Sequence, residues 1–322
     1  MTFATEVRIN TAGAWLQRSM QQCVRWPTFL LPLKLMWLGV GLALIRFTPL
    51  SNYRPILQTS EGFRLVGGPL DSTLNAVIFF RGVFEPSLTW AVSRFVNEGD
   101  VCVDGGANVG YFTLLMARCV GSAGRTIAIE AAPRNADRIR RNLALNGLAS
   151  QTQVVNAAYT NQTGEVPFYV NRRNDMHCRL SLPKWNEPDR WLMGGAGSWR
   201  QISVPCTCLT DVLDSKASEV TFIKLDIEGA EQLVIGEILA KCTHPNLKIA
   251  LEAKSPHIKA TLHPFEAAGF FLYDLRNTYG WLFSSKTYEV VPIEYGAAYG
   301  RRHMLDVLLS RKRLDLGHSA PV

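Results

Sequence analysis

A helix needs about 20 consecutive apolar residues to cross a bilayer, and this chain has no such run. Its most apolar stretch, residues 29–45, is interrupted by Pro32 and Lys34, which leaves only residues 35–45 clean. A cleavable leader is not expected either. The apolar run starts late, and Arg46-Phe47-Thr48-Pro49-Leu50 follows it with no small-x-small site. The seven cysteines are an odd number without framework spacing, and Cys206 and Cys208 lack the two-residue spacer of a zinc knuckle. They read as reduced thiols in a cytoplasmic, reducing compartment, with no metal site expected. Internal repeats and low-complexity tracts are also missing, so neither a solenoid nor a disordered segment is expected. Excess positive charge is scarce beyond the N-terminus. A groove that tracks phosphates needs cations spread along a folded face, so nucleic acid is not an expected partner.

What is present is apolar bulk, 47% of 322 residues, enough for one large core or two modest ones. Residues 1–54 carry Arg8, Arg18, Arg25, Lys34, Arg46 and Arg54 against Glu6 alone, which accounts for most of the net charge of +7. Trp15, Met20, Cys23 and Val24 recur near helical spacing in the same region. A basic, partly amphipathic segment suggests peripheral contact of residues 1–50 with an anionic membrane at its inner face; the alternative is a helical extension packed on protein. The chain then reads as an N-terminal helical extension over residues 1–51, a main domain over 52–313 and a tail over 314–322.

The main domain opens with short alternations broken by Gly62, Gly67, Gly68 and Pro69, a strand-and-turn lead-in. From residue 101 a strand–helix rhythm sets in. Strands are expected at 101–104, 126–129 and 154–158, with helices at 111–120 and 133–146 between them. Pro133 at the start and Asn146-Gly147 at the end suit the second helix. Between about residues 166 and 203 the rhythm fails, which reads as a surface insertion centred on 170–203. It resumes with strands at 220–225, 247–251, 270–273 and 304–309 and helices at 230–240 and 264–268. Strands alternating with helices imply an α/β, doubly wound, mainly parallel sheet, with ligands outside the carboxyl ends of its strands.

The central feature is Asp104-Gly105-Gly106-Ala107-Asn108-Val109-Gly110, directly after a buried strand and before a helix. Glycines there let the backbone turn sharply and approach a ligand closely. Glu130, ending the next strand, can accept hydrogen bonds from both ribose hydroxyls. A dinucleotide site uses the same plan. Asp104 separates the two readings, because a carboxylate before the glycines repels a pyrophosphate but suits an ammonium and a sulfonium. A methyl donor is therefore favoured over NAD.

The stretch from Gly99-Asp100-Val101-Cys102-Val103-Asp104 through Tyr111-Phe112-Thr113-Leu114 resembles the first motif of the FkbM-type methyltransferase family. A second block, Phe222-Ile223-Lys224-Leu225-Asp226-Ile227-Glu228-Gly229-Ala230-Glu231, resembles another motif of that family. Phe84-Glu85-Pro86 upstream and residues 249–252 downstream extend the likeness over roughly residues 52–310. Two departures stand out: Gly105 where a branched apolar residue is usual, and Ala131-Ala132 in place of Pro-Asn after the ribose-binding acid. The resemblance implies a class I methyltransferase Rossmann-like fold of seven strands, one of them antiparallel, with S-adenosylmethionine as cofactor. It implies that Asp104, Gly105, Gly106, Ala107, Asn108, Gly110 and Tyr111 line the methionine part, Glu130 the ribose, and Asn156 and Ala157 the adenine edge. Asp226 would lie beside both cofactor and acceptor.

Family members mostly methylate hydroxyl groups, so the resemblance implies a sugar, glycan or natural-product acceptor. Asp226, Glu228 and Glu252 are the candidates to bind or deprotonate that hydroxyl, because they end strands at the ligand edge. Lys224 is expected only to pair with an acid. His177 and His303 have suitable chemistry but no positional support. The insertion, with Asn171, Arg172, Arg173, Asn174, His177, Arg179, Trp185, Trp191 and Trp199, mixes donors with flat rings and reads as a substrate lid. Two other functions stay open at this point, a non-catalytic Rossmann-type binding protein and an NAD-dependent oxidoreductase.

Overall fold

The computed structural model describes residues 11–24, 30, 33, 35–37, 39–41, 43, 56–67, 73–171, 178–180, 199–277 and 288–317. The chain divides into two compact units, Met1–Phe84 with Tyr279–Ser285, and Glu85–Thr278 with Lys286–Val322. The composition change near Pro49 therefore falls inside the first unit.

In the first unit, α1 (Thr11–Val24) buries Leu16, Met20 and Cys23, a stripe at i, i+4 and i+7. Trp15, grouped with Met20 and Cys23 on sequence spacing, is 57% exposed. Five positions separate it from Met20, about 140° round the helix. Strands β1 (Ile56–Gln58) and β2 (Arg64–Val66) form the expected lead-in as an antiparallel hairpin. The Gln17 side chain donates to the Gln58 carbonyl at 2.9 Å and accepts from the Gln58 amide at 3.0 Å, which satisfies the free edge of β1. The helix α2 (Thr73–Arg81) completes this unit.

The second unit is built on an eight-stranded sheet in the order β12 (Tyr288–Pro292), β11 (Phe271–Asn277), β13 (Leu305–Ser310), β10 (Lys248–Ala253), β9 (Val220–Leu225), β3 (Val101–Gly105), β4 (Arg125–Ile129) and β5 (Thr152–Val155). All six residues of β9 are buried, as a strand covered on both faces requires. β13 runs antiparallel to β10 and β11, and β12 antiparallel to β11. This is the class I methyltransferase arrangement, with β12 added at one edge. Helices α4 (Tyr111–Val120), α5 (Pro133–Asn146), α7 (Glu231–Lys241) and α8 (Ile258–Ala267) connect its strands. Val234, Ile238, Leu262 and Phe265 of α7 and α8 pack in one core with Ile223 and Leu251 of the sheet. Chain order reverses about β3, which has β4 on one side and β9 on the other, so a crevice opens at the carboxyl ends of β3 and β9.

Three local expectations change. The strand expected at 154–158 is two pieces, because β6 (Ala158–Tyr159) leaves the main sheet and pairs with β8 (Trp199–Thr207). Residues flanking the expected insertion are not irregular: β7 (Gly164–Asn171) and β8 form long antiparallel arms. Pro167 and Pro205 lie inside them and obscure the strand signal. Helix α8 starts at Ile258 rather than near Pro264, which sits inside it. The stretch 172–177, with Arg172, Arg173, Asn174 and His177, lies outside the described residues, as do Trp185 and Trp191.

Candidate active site

The loop after β3 is shaped by three left-handed residues, Gly106 (φ 73°), Asn108 (φ 53°) and Gly110 (φ 90°). Gly106 has no alternative. A Cβ there would stand 1.9 Å from the Asp226 carbonyl oxygen. The loop is tied to its neighbours by Gly106 and Ala107 amides donating to the Ile129 carbonyl and by the Asp226 amide donating to the Gly105 carbonyl. Gly105, unusual for the resemblance, has an ordinary backbone; Leu225 and Tyr159 side chains take up the space a branched residue would need, each 3.1 Å from an added Cβ.

Glu130 closes the loop from the next strand. Its carboxylate accepts the Asn108 amide at 2.7 Å and the Ala132 amide at 2.8 Å, one on each oxygen. Ala132 thus supplies its backbone, and no side chain is needed there. Burial pushes the Glu130 carboxyl up to about 7 against those two amides. Behind it, Asn156 donates to the Glu130 carbonyl at 2.8 Å and the Ala131 carbonyl at 3.1 Å.

These residues border an open cavity at the carboxyl ends of the strands. Gly106, Asn108, Glu130, Ala157, Asp226 and Glu228 line it. Asp104, Gly105, Ala107, Gly110, Tyr111 and Asn156 do not; they support the wall from behind. Asp104 is fully buried, accepting the Thr113 hydroxyl at 2.6 Å, with Lys224 Nζ at 3.4 Å from its other oxygen. Its expected direct contact with a ligand is therefore replaced by a structural one. Among the described residues the wall carries three carboxylates, Glu130, Asp226 and Glu228, and no lysine or arginine. That charge suits a cationic ligand and opposes a pyrophosphate. Phe168, Cys178 and Leu180 also line this cavity, which brings described residues of the expected insertion to it.

Lys224 has a larger role than pairing with one acid. Its Nζ donates to the Gly106 carbonyl at 2.9 Å and stands 3.4 Å from Asp104 and 3.6 Å from Asp226. Burial works against its charge, but Asp104, Asp226 and Glu85 outweigh it and raise its pKa. After β9 the backbone turns through Glu228 (φ 54°) and Gly229 (φ 92°), held by the Glu231 carboxylate accepting the Ile227 and Gly229 amides.

On the far side of Asp226 lies a second, smaller cavity. Asp226, Glu252, Glu85 and Asp306 bring four carboxyl groups to it, with Lys224 and Asn277. Glu252 and Asp306 are direct cross-strand partners on β10 and β13. Glu228 and Glu252, on opposite sides, share Lys254 at 3.1 and 2.6 Å. Burial pushes Glu252 up to about 8 and Asp306 to about 6. Glu85, Asp306, Asn277 and Lys254 are absent from the sequence reading of the site. Only Phe84-Glu85-Pro86, visible as a motif, signalled one of them. His303 is exposed and lines neither cavity.

A family model described as the methyltransferase FkbM domain matches residues 104–278, more than half of the chain. Methyltransferase sdnD of Sordaria araneosa is 29% identical over 154 residues, which cover 41% of this chain and 58% of that protein. The chain thus spans somewhat over half the length of that relative. Among solved structures, an S-adenosylmethionine-dependent O-methyltransferase of Thermotoga maritima is 15% identical with a TM-score of 0.38, over 82% of this chain and 80% of that one. An O-methyltransferase of Bacillus cereus, solved in complex with SAH, is 15% identical with a TM-score of 0.38, over 71% and 80%.

Proposed function

Because the chain belongs to the FkbM methyltransferase family, we propose that it transfers a methyl group from S-adenosylmethionine to a hydroxyl oxygen of a sugar, glycan or natural-product small molecule. The observation that carries this reading is the larger cavity's wall, whose described residues set three carboxylates and no basic side chain against a glycine turn. Glu130 and Asn108 would hold the ribose side, Ala131 and Ala157 the adenine, and Gly106 with Asp226 and Glu228 the methionine part. When bound, the cofactor supplies a methyl on a positively charged sulfur; the acceptor oxygen forms the new C–O bond as the C–S bond breaks, its electron pair leaving on a neutral sulfur.

The chain's own work is placement and proton handling. Asp226, in the walls of both cavities, orients the hydroxyl towards the larger one, where near-attack geometry lowers the barrier. Glu252 takes the hydroxyl proton. A carboxyl pushed up to about 8 is a far better base than an exposed one once ionised, so kcat/KM is expected to rise with pH through about 8. Titration of the full chain with S-adenosylhomocysteine and with NAD tests the cofactor reading; binding of NAD alone would overturn it in favour of oxidoreduction, and binding of neither would favour a protein without this chemistry. Mass spectrometry of cell metabolites and glycans for a methyl group lost with the gene identifies the acceptor.

The first unit supports a second proposal, peripheral attachment to the inner, anionic face of a membrane. Trp15, Leu35, Met36 and Val40 expose 41 to 59% of their surface in a segment rich in Arg and Lys. Among the described residues no helix is long and apolar enough to cross a membrane.

A further inference from the structure

Three carboxylates stand side by side on one edge of the sheet. Glu252 of β10 faces Asp306 of β13 in register, and Asp226 follows directly on β9, the parallel neighbour of β10. Like charges directly opposite on adjacent strands destabilise a sheet, so packing gives no reason for the row. A fourth carboxyl comes from Glu85, just before α3 (Pro86–Phe95) and held in a left-handed backbone (φ 40°). That helix start is anchored to the same cavity. The Ser87 amide donates to the Asn277 side chain at 3.0 Å, and Asn277 donates to Asp306 at 3.2 Å.

The Glu85 carbonyl accepts the Thr89 amide at 2.8 Å, but its carboxyl makes no hydrogen bond or ion pair with any described residue. The residue is half-buried and lines the cavity. Lys224, the one cation among the described residues of the wall, is already shared among Asp104, Asp226 and the Gly106 carbonyl. Lys254 is spent on Glu228 and Glu252. The remaining described lining is apolar, with Leu88, Leu251 and Leu275, which keeps the local dielectric low and leaves carboxyls that ionise when a cation is placed among them. Among the described residues no acidic group is arranged to hold a metal ion.

We propose that this smaller cavity is the acceptor pocket and that its acceptor carries a protonated amine beside the hydroxyl that is methylated. The proposal rests on the methyltransferase reading above. An ammonium between Glu85, Asp226 and Asp306 supplies the missing positive charge and three donors. It also protects the reaction's outcome, since an amine held as ammonium has no lone pair to compete with oxygen for the methyl group. Burial and the neighbouring Asp226 raise the pKa of Glu85 in the empty pocket, so arrival of the cation ionises it and releases a proton.

The test is calorimetry on the full chain, first with S-adenosylhomocysteine and then, at saturation with it, with matched probes: ethanolamine, ethylene glycol and glycolate; glucosamine, glucose and glucuronate. The amine of each set is expected to bind about tenfold tighter than its neutral partner or more, as a charge-assisted hydrogen bond supports. It should also release a proton, read from the dependence of heat on buffer ionisation. Glu85→Gln should abolish both the preference and the release while still binding S-adenosylhomocysteine; Asp306→Asn serves the same purpose if that variant does not fold. Neutral or anionic probes binding as tightly as amines, or no probe binding to a chain that binds S-adenosylhomocysteine, would overturn the proposal. Failure to bind S-adenosylhomocysteine at all would instead sink the cofactor reading.

Discussion

Glu130 is the residue on which the glycine loop and the larger cavity both depend. Glu130→Gln keeps its shape but replaces two charge-assisted acceptors facing the Asn108 and Ala132 amides. Affinity for S-adenosylhomocysteine is expected to fall about tenfold or more by calorimetry, and unchanged affinity would remove its ribose role. Lys224→Met should cost about 3 to 5 kcal/mol in denaturant unfolding, because it leaves Asp104 buried and uncompensated. Adding Asp104→Asn should recover part of that loss. The raised carboxyls set the pH response of the unliganded chain. Glu130 at about 7, Glu252 at about 8 and Asp306 at about 6 all lie above their unfolded values near 4, so the folded state holds more protons between these limits. Their contribution to stability is full below about pH 4 and is lost as pH rises towards about 8. Asp306→Asn should therefore raise Tm at pH 8 and flatten its decline; a Tm that climbs over this range would contradict it. Glu130 and Asp226 were readable from sequence because each ends a strand of the rhythm. Asp306 was not, since only the register of β10 with β13 sets it beside Glu252, and the motif holding Glu85 gave no hint that it reaches the same cavity from the other end of the domain.

At the level of elements, the turn between β3 and α4 is fixed by closeness to the turn after β9, and the two glycines before Ala107 differ in how far they depend on it. Gly106→Ala meets a backbone carbonyl at 1.9 Å in a left-handed conformation and should abolish cofactor binding. Gly105→Ala meets mainly side chains at 3.1 Å, which can shift, and should be mild. Equal losses in the two variants would contradict this account. The contrast was not legible in the run of glycines, where both look alike. Capping residues did announce α5, from Pro133 to Gly147. Prolines hid as much as they revealed: Pro264 lies within α8, and Pro167 and Pro205 lie in strands whose ladder tolerates them.

For the whole molecule, the core rhythm from residue 101 onward sufficed to read the doubly wound sheet, because each buried strand is a short apolar run between turn signals. The edge strand β12 and the β6–β7–β8 sheet escaped, being partly exposed and pairing over long sequence distances. The first unit should confer binding to anionic vesicles: Leu35→Asp with Met36→Asp is expected to release the chain in a flotation assay while leaving S-adenosylhomocysteine affinity intact. Equal flotation would discard the membrane proposal. A last consequence follows from Asp226 standing in both cavity walls. One negative charge then serves two cationic ligands, and their affinities are linked reciprocally, each changing the other by the same factor. The amine-bearing acceptor should bind less tightly beside the charged S-adenosylmethionine than beside the neutral sulfur of S-adenosylhomocysteine. Excess acceptor should accordingly gather on the spent complex, so that turnover passes through a maximum and declines as acceptor concentration rises.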